Sequence, residues 1–324
     1  MYLATGDALA LLHLEGSGWT VDLRLRDLPT QCIAVSDGTI LCGTFGRGLW
    51  ISRDSGDSWK ETGAQDMARE VTAVAIDPES GQFWAGTEPS ALFRSSDGEA
   101  WEAVPALLDV PSRSEWSFPP RPWTSHVRWI TPDPNAASRL FVGIELGGVM
   151  RTLDGGKTWE DRKPNSQFDA HTLRIHSGAP DRVYEAAGGG YAESHDGGAT
   201  WLRFDAGLTR TYVWGLAVDP GDPDTILVSA SPGPGQAHGS PGEAAIYRRH
   251  GNDEWREISD GLPAPDGTRA YLLATRQEEP GVFYAASRDG AVYRSDDAGL
   301  RWAALSIEWP DGYRPTSLTG FVVE

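Results

Sequence analysis

Apolar residues in this chain fall in short runs of four to six positions, separated by turn-forming Gly, Pro, Asp and Asn. Runs at 31–35, 71–76, 126–130, 172–175, 213–218 and 271–274 each predict a strand. Pieces such as DPESGQ, TPDPNAAS and DPGDPD follow several of them and predict tight turns. Behind each turn comes a recurring block: a strand ending in Gly or Ala, a small-residue loop, an aliphatic-aromatic strand, a polar turn and a Trp. The blocks CGTFGRGLWISRDSGDSW and VGIELGGVMRTLDGGKTW are two examples. Five such blocks end at Trp59, Trp101, Trp159, Trp201 and Trp302, and weaker copies end at Trp19 and Trp255. Seven copies therefore fill the chain, each with four strands in about 46 residues.

That period and strand count predict an all-β, seven-bladed β-propeller, one domain over residues 1–324 with four antiparallel strands per blade. Four copies carry Ser/Thr-x-Asp-x-Gly-x-x-Trp in full: Ser52-Asp54-Gly56-Trp59, Thr152-Asp154-Gly156-Trp159, Ser194-Asp196-Gly198-Trp201 and Ser295-Asp297-Gly299-Trp302. The third copy keeps Gly98 and Trp101 but has Ser96 where the Asp is expected. The pattern resembles the Asp-box, or BNR, repeat of sialidase-like and sortilin-like propellers. The resemblance implies a turn between the third and fourth strands of each blade, with the aspartates structural rather than catalytic. A carboxylate there accepts turn N–H groups, the glycine permits positive φ, and the Trp fills the space between sheets. The chain opens at Met1-Tyr2-Leu3 with one strand too few for its first copy and ends at 317–323 with one too many. The last strand is therefore expected to become the innermost strand of the N-terminal blade, removing both open edges.

Composition narrows the partners. Lys and Arg total 28 against 46 Asp and Glu, a net charge of −18, which repels phosphate backbones and anionic membranes. No nucleic-acid partner is expected, and no membrane: the longest early apolar run, 8–12, is too short to span a bilayer and lacks a preceding basic segment. The only cysteines, Cys32 and Cys42, flank a hairpin turning at Asp37-Gly38, and Cys42 is expected opposite Ile33. Two reduced thiols and a cytoplasmic location are the simplest reading.

Trp-to-Trp spacing points to one face of the ring. Most intervals run 40 to 47 residues, but Trp101 to Trp159 takes 58 and Trp201 to Trp255 takes 54. The extra length falls at 105–125, between blades, and at 232–243, between the second and third strands of blade six. In a meandering sheet both lie opposite the Asp-box turns, at the mouth where the inner strands begin. His126, Glu145 and His171 are the candidate catalytic groups there, with His126 and His171 in matching places and Glu145 opposite His126. Trp214 and Tyr271 are expected at the equivalent positions of blades six and seven. Arg47, Glu88, Trp116, Arg121, Trp123, Tyr191, Arg210, Tyr212 and Arg288 complete a candidate ligand-binding set. Gly188-Gly189-Gly190 lies in a strand and loop and is no nucleotide fingerprint. Neither a cofactor nor a metal is specified by any motif.

Two functions fit. The first is a binding module or scaffold for a small polar ligand, such as a carbohydrate, or for a protein partner. The alternative is a hydrolase or lyase using the His/Glu cluster, with or without a metal. Sialidases of the resembled family have six blades and an Arg-Ile-Pro motif near the start. Here the Arg-Pro pairs are Arg121-Pro122 and Arg314-Pro315, far from it. Xyloglucan-cleaving glycosidases of the family pair two seven-bladed units across a cleft, whereas this chain supplies one. The family's photosystem II assembly factors are basic and targeted, unlike this acidic sequence. The two functions separate on geometry, since catalysis requires the mouth residues to converge on one reacting atom.

Overall fold

The seven repeats form seven small antiparallel sheets, in a computed structural model that describes residues 1–118, 124–315 and 317–324. Blade five shows the plan: Ala170–His176, Ala179–Ala187, Gly190–Ser194 and Leu202–Arg203 meander from the channel outward. Each inner strand contacts the next around the ring, and Gly320–Val322 contacts Leu272–Ala274 on one side and Thr30–Ser36 on the other. The molecule is a seven-bladed β-propeller. Among the described residues no helix is long and apolar enough to cross a membrane.

Closure follows the expected scheme. Gly320–Val322 pairs antiparallel with Tyr2–Ala4, placing Val322 opposite Tyr2, and Leu9–Glu15 and Gly18–Arg24 continue the sheet outward. Ile307–Glu308 adds a fifth, parallel strand at the outer edge. Blade four has three strands among the described residues instead of four, with only an Arg151–Glu160 bridge where the fourth belongs. The next residue, Asp161, accepts hydrogen bonds from the backbone and hydroxyl of Ser112, so this segment turns to the inserted loop rather than the sheet.

The core lies between sheets. Leu41, Leu49 and Ile51 of blade two pack on Phe83, Ala85, Phe93 and Trp101 of blade three, and similar layers recur around the ring. Each fully buried Leu, Ile or Phe contributes about 1.5–3 kcal/mol. The inner strands approach closely where the second strand carries Gly: a side chain at Gly86 would collide with Val127 of the next blade.

The turn between third and fourth strands is a hydrogen-bonded staple. Ser52 Oγ accepts from Gly56 N at 2.9 Å and donates to Asp54, whose carboxylate accepts from the backbone and hydroxyl of Ser58. Thr152, Ser194 and Ser295 repeat the arrangement. These bonds, led by the neighbouring hydroxyl, hold Asp54, Asp154 and Asp196 down at about 2. Gly56 has φ +97°, and its Cβ position lies 2.5 Å from Leu11 of the preceding blade, which excludes a side chain. The third copy is not an Asp-less box: one residue is deleted, and Asp97 takes the role, accepting from Ser95, Glu99 and Ala100.

Cys42 pairs opposite Ile33, as the hairpin predicts, and neither cysteine is disulfide-bonded. Burial pushes the Cys32 thiol up to about 12.

Candidate functional site

Five inner strands carry a β-bulge near their first residue, so one residue per strand is excluded from ladder pairing. The bulged residues are Gln31, Thr72, Arg128, His171 and Trp214. This register corrects one expectation. His171 corresponds to Arg128, and to Trp214 as expected, whereas His126 lies two residues earlier and corresponds to Asp169 and Tyr212. The alternating pattern of a strand cannot show where an extra residue is inserted, so the bulge was invisible in the sequence.

Bulges and strand starts surround a cavity of about 580 Å³ at the channel mouth. Both insertions reach it: Phe118 comes from the first, and Pro234 and His238 from the short helix Pro234–His238 of the second. Opposite strand ends bring His126 Nε2 within 2.8 Å of Glu145 Oε2, and Arg128 Nε lies 3.6 Å from the same oxygen. Glu88 Oε2 is 3.7 Å from His126 Nδ1. Glu145, Asp169 and His171 each offer one ligand atom within 4.8 Å of the others. His171 is fully buried, its Nδ1 is 2.7 Å from the Val213 carbonyl, and its Nε2 is 3.3 Å from Asp169 Oδ2. Tyr212 and Trp214 flank the His171 ring, and Arg128 lies 4.5 Å over Trp214. His238 packs edge-on against Trp214 at 4.2 Å, and Phe118 meets His126 at 4.8 Å. Opposite this mouth the channel is lined by aliphatic residues such as Ile33, Val74, Ile130 and Ile175.

Electrostatics at the mouth favour fixed charge states. Burial pushes Glu145 up, but the His126 hydrogen bond and the Arg128 charge outweigh it and hold the carboxyl at about 2. His238 goes down to about 4, chiefly through burial and then through His171 and Arg128, so its ring is neutral at pH 7. Tyr212 is raised by burial and by Asp169 and Glu145.

The structure gathers His126, Glu145, His171, Glu88, Tyr212, Trp214 and Arg288 around the cavity, and places the other candidates elsewhere. Trp116 packs down its own loop, its indole N–H donating to Ser112. Tyr191 is buried between blades five and six, donating to Glu193. Arg210 is held by Glu243, Glu257 and Tyr247, Arg47 is exposed, and Tyr271 lines a separate pocket of about 330 Å³. Arg121 and Trp123 lie outside the described residues. Asp169, Arg128, Phe118 and His238 were missed. His238 and Phe118 stand in the very insertions that the spacing singled out.

No family model matches the chain. Two curated proteins are similar in sequence. The oligoxyloglucan-reducing end-specific xyloglucanase of Emericella nidulans is 21% identical over 316 residues, covering 81% of this chain and 36% of the relative. A probable enzyme of the same description from Neosartorya fischeri is 24% identical over 275 residues, covering 69% and 32%. The chain is a propeller with xyloglucanase relatives. It spans about a third of their length. Among solved structures, an ancestral GH74 enzyme has a TM-score of 0.67 at 17% identity, covering 85% of this chain and 38% of that one. The GH74 xyloglucanase of Xanthomonas campestris scores 0.63 at 18%, covering 92% and 47%. A structure of YCF48 bound to D1 peptide scores 0.58 at 18%, covering 85% and 81%. At such identities the structural likeness carries the fold.

Proposed function

We propose that the channel mouth is a hydrolase site of the glycosidase class, acting on an oligosaccharide, within an Asp-box propeller. The observation that carries this reading is the convergence of Glu145, Asp169 and His171 within 4.8 Å beside a cavity of about 580 Å³. Convergence is what separates a reaction centre from a hydrated channel end. A sugar presents apolar ring faces and a rim of hydroxyls; Tyr212 and Trp214 offer flat surfaces for the first, and Glu88, Arg128 and Asp169 offer partners for the second. Hydrolysis adds water across the glycosidic bond: Asp169 is placed to take the attacking water's proton and a proton returns to the leaving sugar oxygen, while Glu145, held ionised by His126, faces the positive charge that develops on the sugar. The xyloglucanase relatives support a glucan-type substrate over a scaffold role. Here Phe118 of one insertion and Pro234 and His238 of the other join the strand ends in the cavity wall.

The test is release of new reducing ends from xyloglucan and other β-glucan oligosaccharides. Glu145→Gln and Asp169→Asn are each expected to lower the rate by about 100-fold or more, with melting in chelator unchanged in Asp169→Asn. Glycan binding without cleavage in the native protein would overturn the hydrolase reading and restore the binding-module one.

A further inference from the structure

We infer that Glu145, Asp169 and His171 form a binding site for a first-row divalent cation such as Zn²⁺ or Mn²⁺. A carbonyl oxygen only accepts, so His171 Nδ1, 2.7 Å from Val213 O, must carry the hydrogen. In the neutral ring Nε2 then presents a lone pair. That nitrogen is wholly buried and makes no hydrogen bond, yet Asp169 Oδ2 faces it at 3.3 Å and a Glu145 oxygen is within 4.8 Å. A lone pair directed at carboxylates is repulsive; a proton on Nε2 would leave only the 3.3 Å ion pair with Asp169, without a hydrogen bond, whereas a cation shared with both carboxylates satisfies all three groups.

The donor set has the chemistry of such a cation. One imidazole and two carboxylates suit Zn²⁺ or Mn²⁺ better than Ca²⁺ or Mg²⁺, which favour oxygen alone. The edge of a tetrahedron with ligands at about 2.1 Å is about 3.4 Å, close to the Nε2–Oδ2 separation already present. The outer contacts are those of an ion site as well. The Val213 carbonyl fixes the His171 tautomer, and His126 fixes Glu145 through Oε2. Around the cavity, Glu88, Glu145 and Asp169 outnumber Arg128 and Arg288 by one, so the lining is not closed to a further cation. His171 closes one side, and Asp169, 21% exposed, leaves the other open to a water and a substrate. The inference deepens the hydrolase reading by stating how water is activated, since a bound Zn²⁺ brings a water to ionise near neutral pH. The ion's retention, however, follows from geometry that does not depend on turnover.

The experiment is titration of Zn²⁺, Mn²⁺ and Co²⁺ into chelator-stripped full chain by calorimetry, with visible absorption of the Co²⁺ form as a second readout. One equivalent is expected to bind, raising the melting temperature. Asp169→Asn is expected to weaken binding at least tenfold and to change the Co²⁺ spectrum, while melting in chelator stays that of the native chain. His171→Ala is expected to abolish binding; because it also empties a buried site, Asp169→Asn carries the comparison. No stoichiometric binding, or binding unaffected by Asp169→Asn, would overturn the site. Stoichiometric binding without glycan cleavage would uphold the site and reject the hydrolase. Cleavage that persists in chelator would uphold the hydrolase and overturn the ion's part in activating water.

Discussion

Glu185 is a buried carboxyl with no salt bridge among the described residues to hold its charge. It is fully buried on the second strand of blade five; one oxygen accepts from Gln167 N at 2.9 Å, and the other has no hydrogen bond. Burial pushes it from 4.5 up to about 8, with the Gln167 N–H pulling partly back. A carboxyl whose folded value is raised favours the native state fully below about pH 4.5, and the contribution is lost as pH rises through 8. Glu185→Gln keeps the neutral shape, so it should raise the melting temperature at pH 9 and change little at pH 5. Equal shifts at both pH values in a thermal melt would contradict this account. Glu193 shows the opposite solution nearby: equally buried, it is ion-paired with Arg249 at 2.6 Å and receives the Tyr191 hydroxyl.

At the scale of the element, the blade is stapled at its outer turn and packed through its Trp. Trp201 is 3% exposed and packs with Phe141, Val149 and Leu173 across the junction of blades four and five. Trp201→Ala should cost about 3–5 kcal/mol of stability in denaturant titration; a loss under about 1 would remove its inter-blade role. Blade six has lost its box, and Arg249 there lies among Tyr191, Phe204 and Trp255 while binding Glu193 of blade five. A buried ion pair holds that junction where a turn staple is missing. Blades were legible in the sequence because each Trp and each Gly of the box answers a local need, repeated at a countable period. The insertions were legible for the same reason, as departures from that period. The site was legible only in part. Glu145 opposite His126 follows from hairpin pairing, but Asp169 beside His171 depends on a bulge, and their approach to Glu145 depends on how two blades pack. Trp116 and Tyr191 looked like wall residues because sequence marks an aromatic without showing which way the strand or loop turns it.

At the scale of the whole molecule, stability rests on closure. Blade one is completed by Gly320–Val322, whose Phe321 packs with Leu3, Ala10 and Tyr284, joining the first blade to the seventh. Removal of residues 317–324 should expose the Tyr2–Ala4 edge and leave insoluble or non-cooperatively melting protein. A soluble truncated chain with one sharp transition would refute that dependence. The bulges at the mouth have another consequence. Each frees one residue from the ladder, and these residues differ widely: Gln31, Thr72, Arg128, His171 and Trp214. Four of them line the cavity, and the fifth holds its buried imidazole behind it. Mutation can therefore rewrite the chemistry of the mouth one blade at a time with the scaffold left standing, so descendants of a single ring can diverge in substrate long before they diverge in shape.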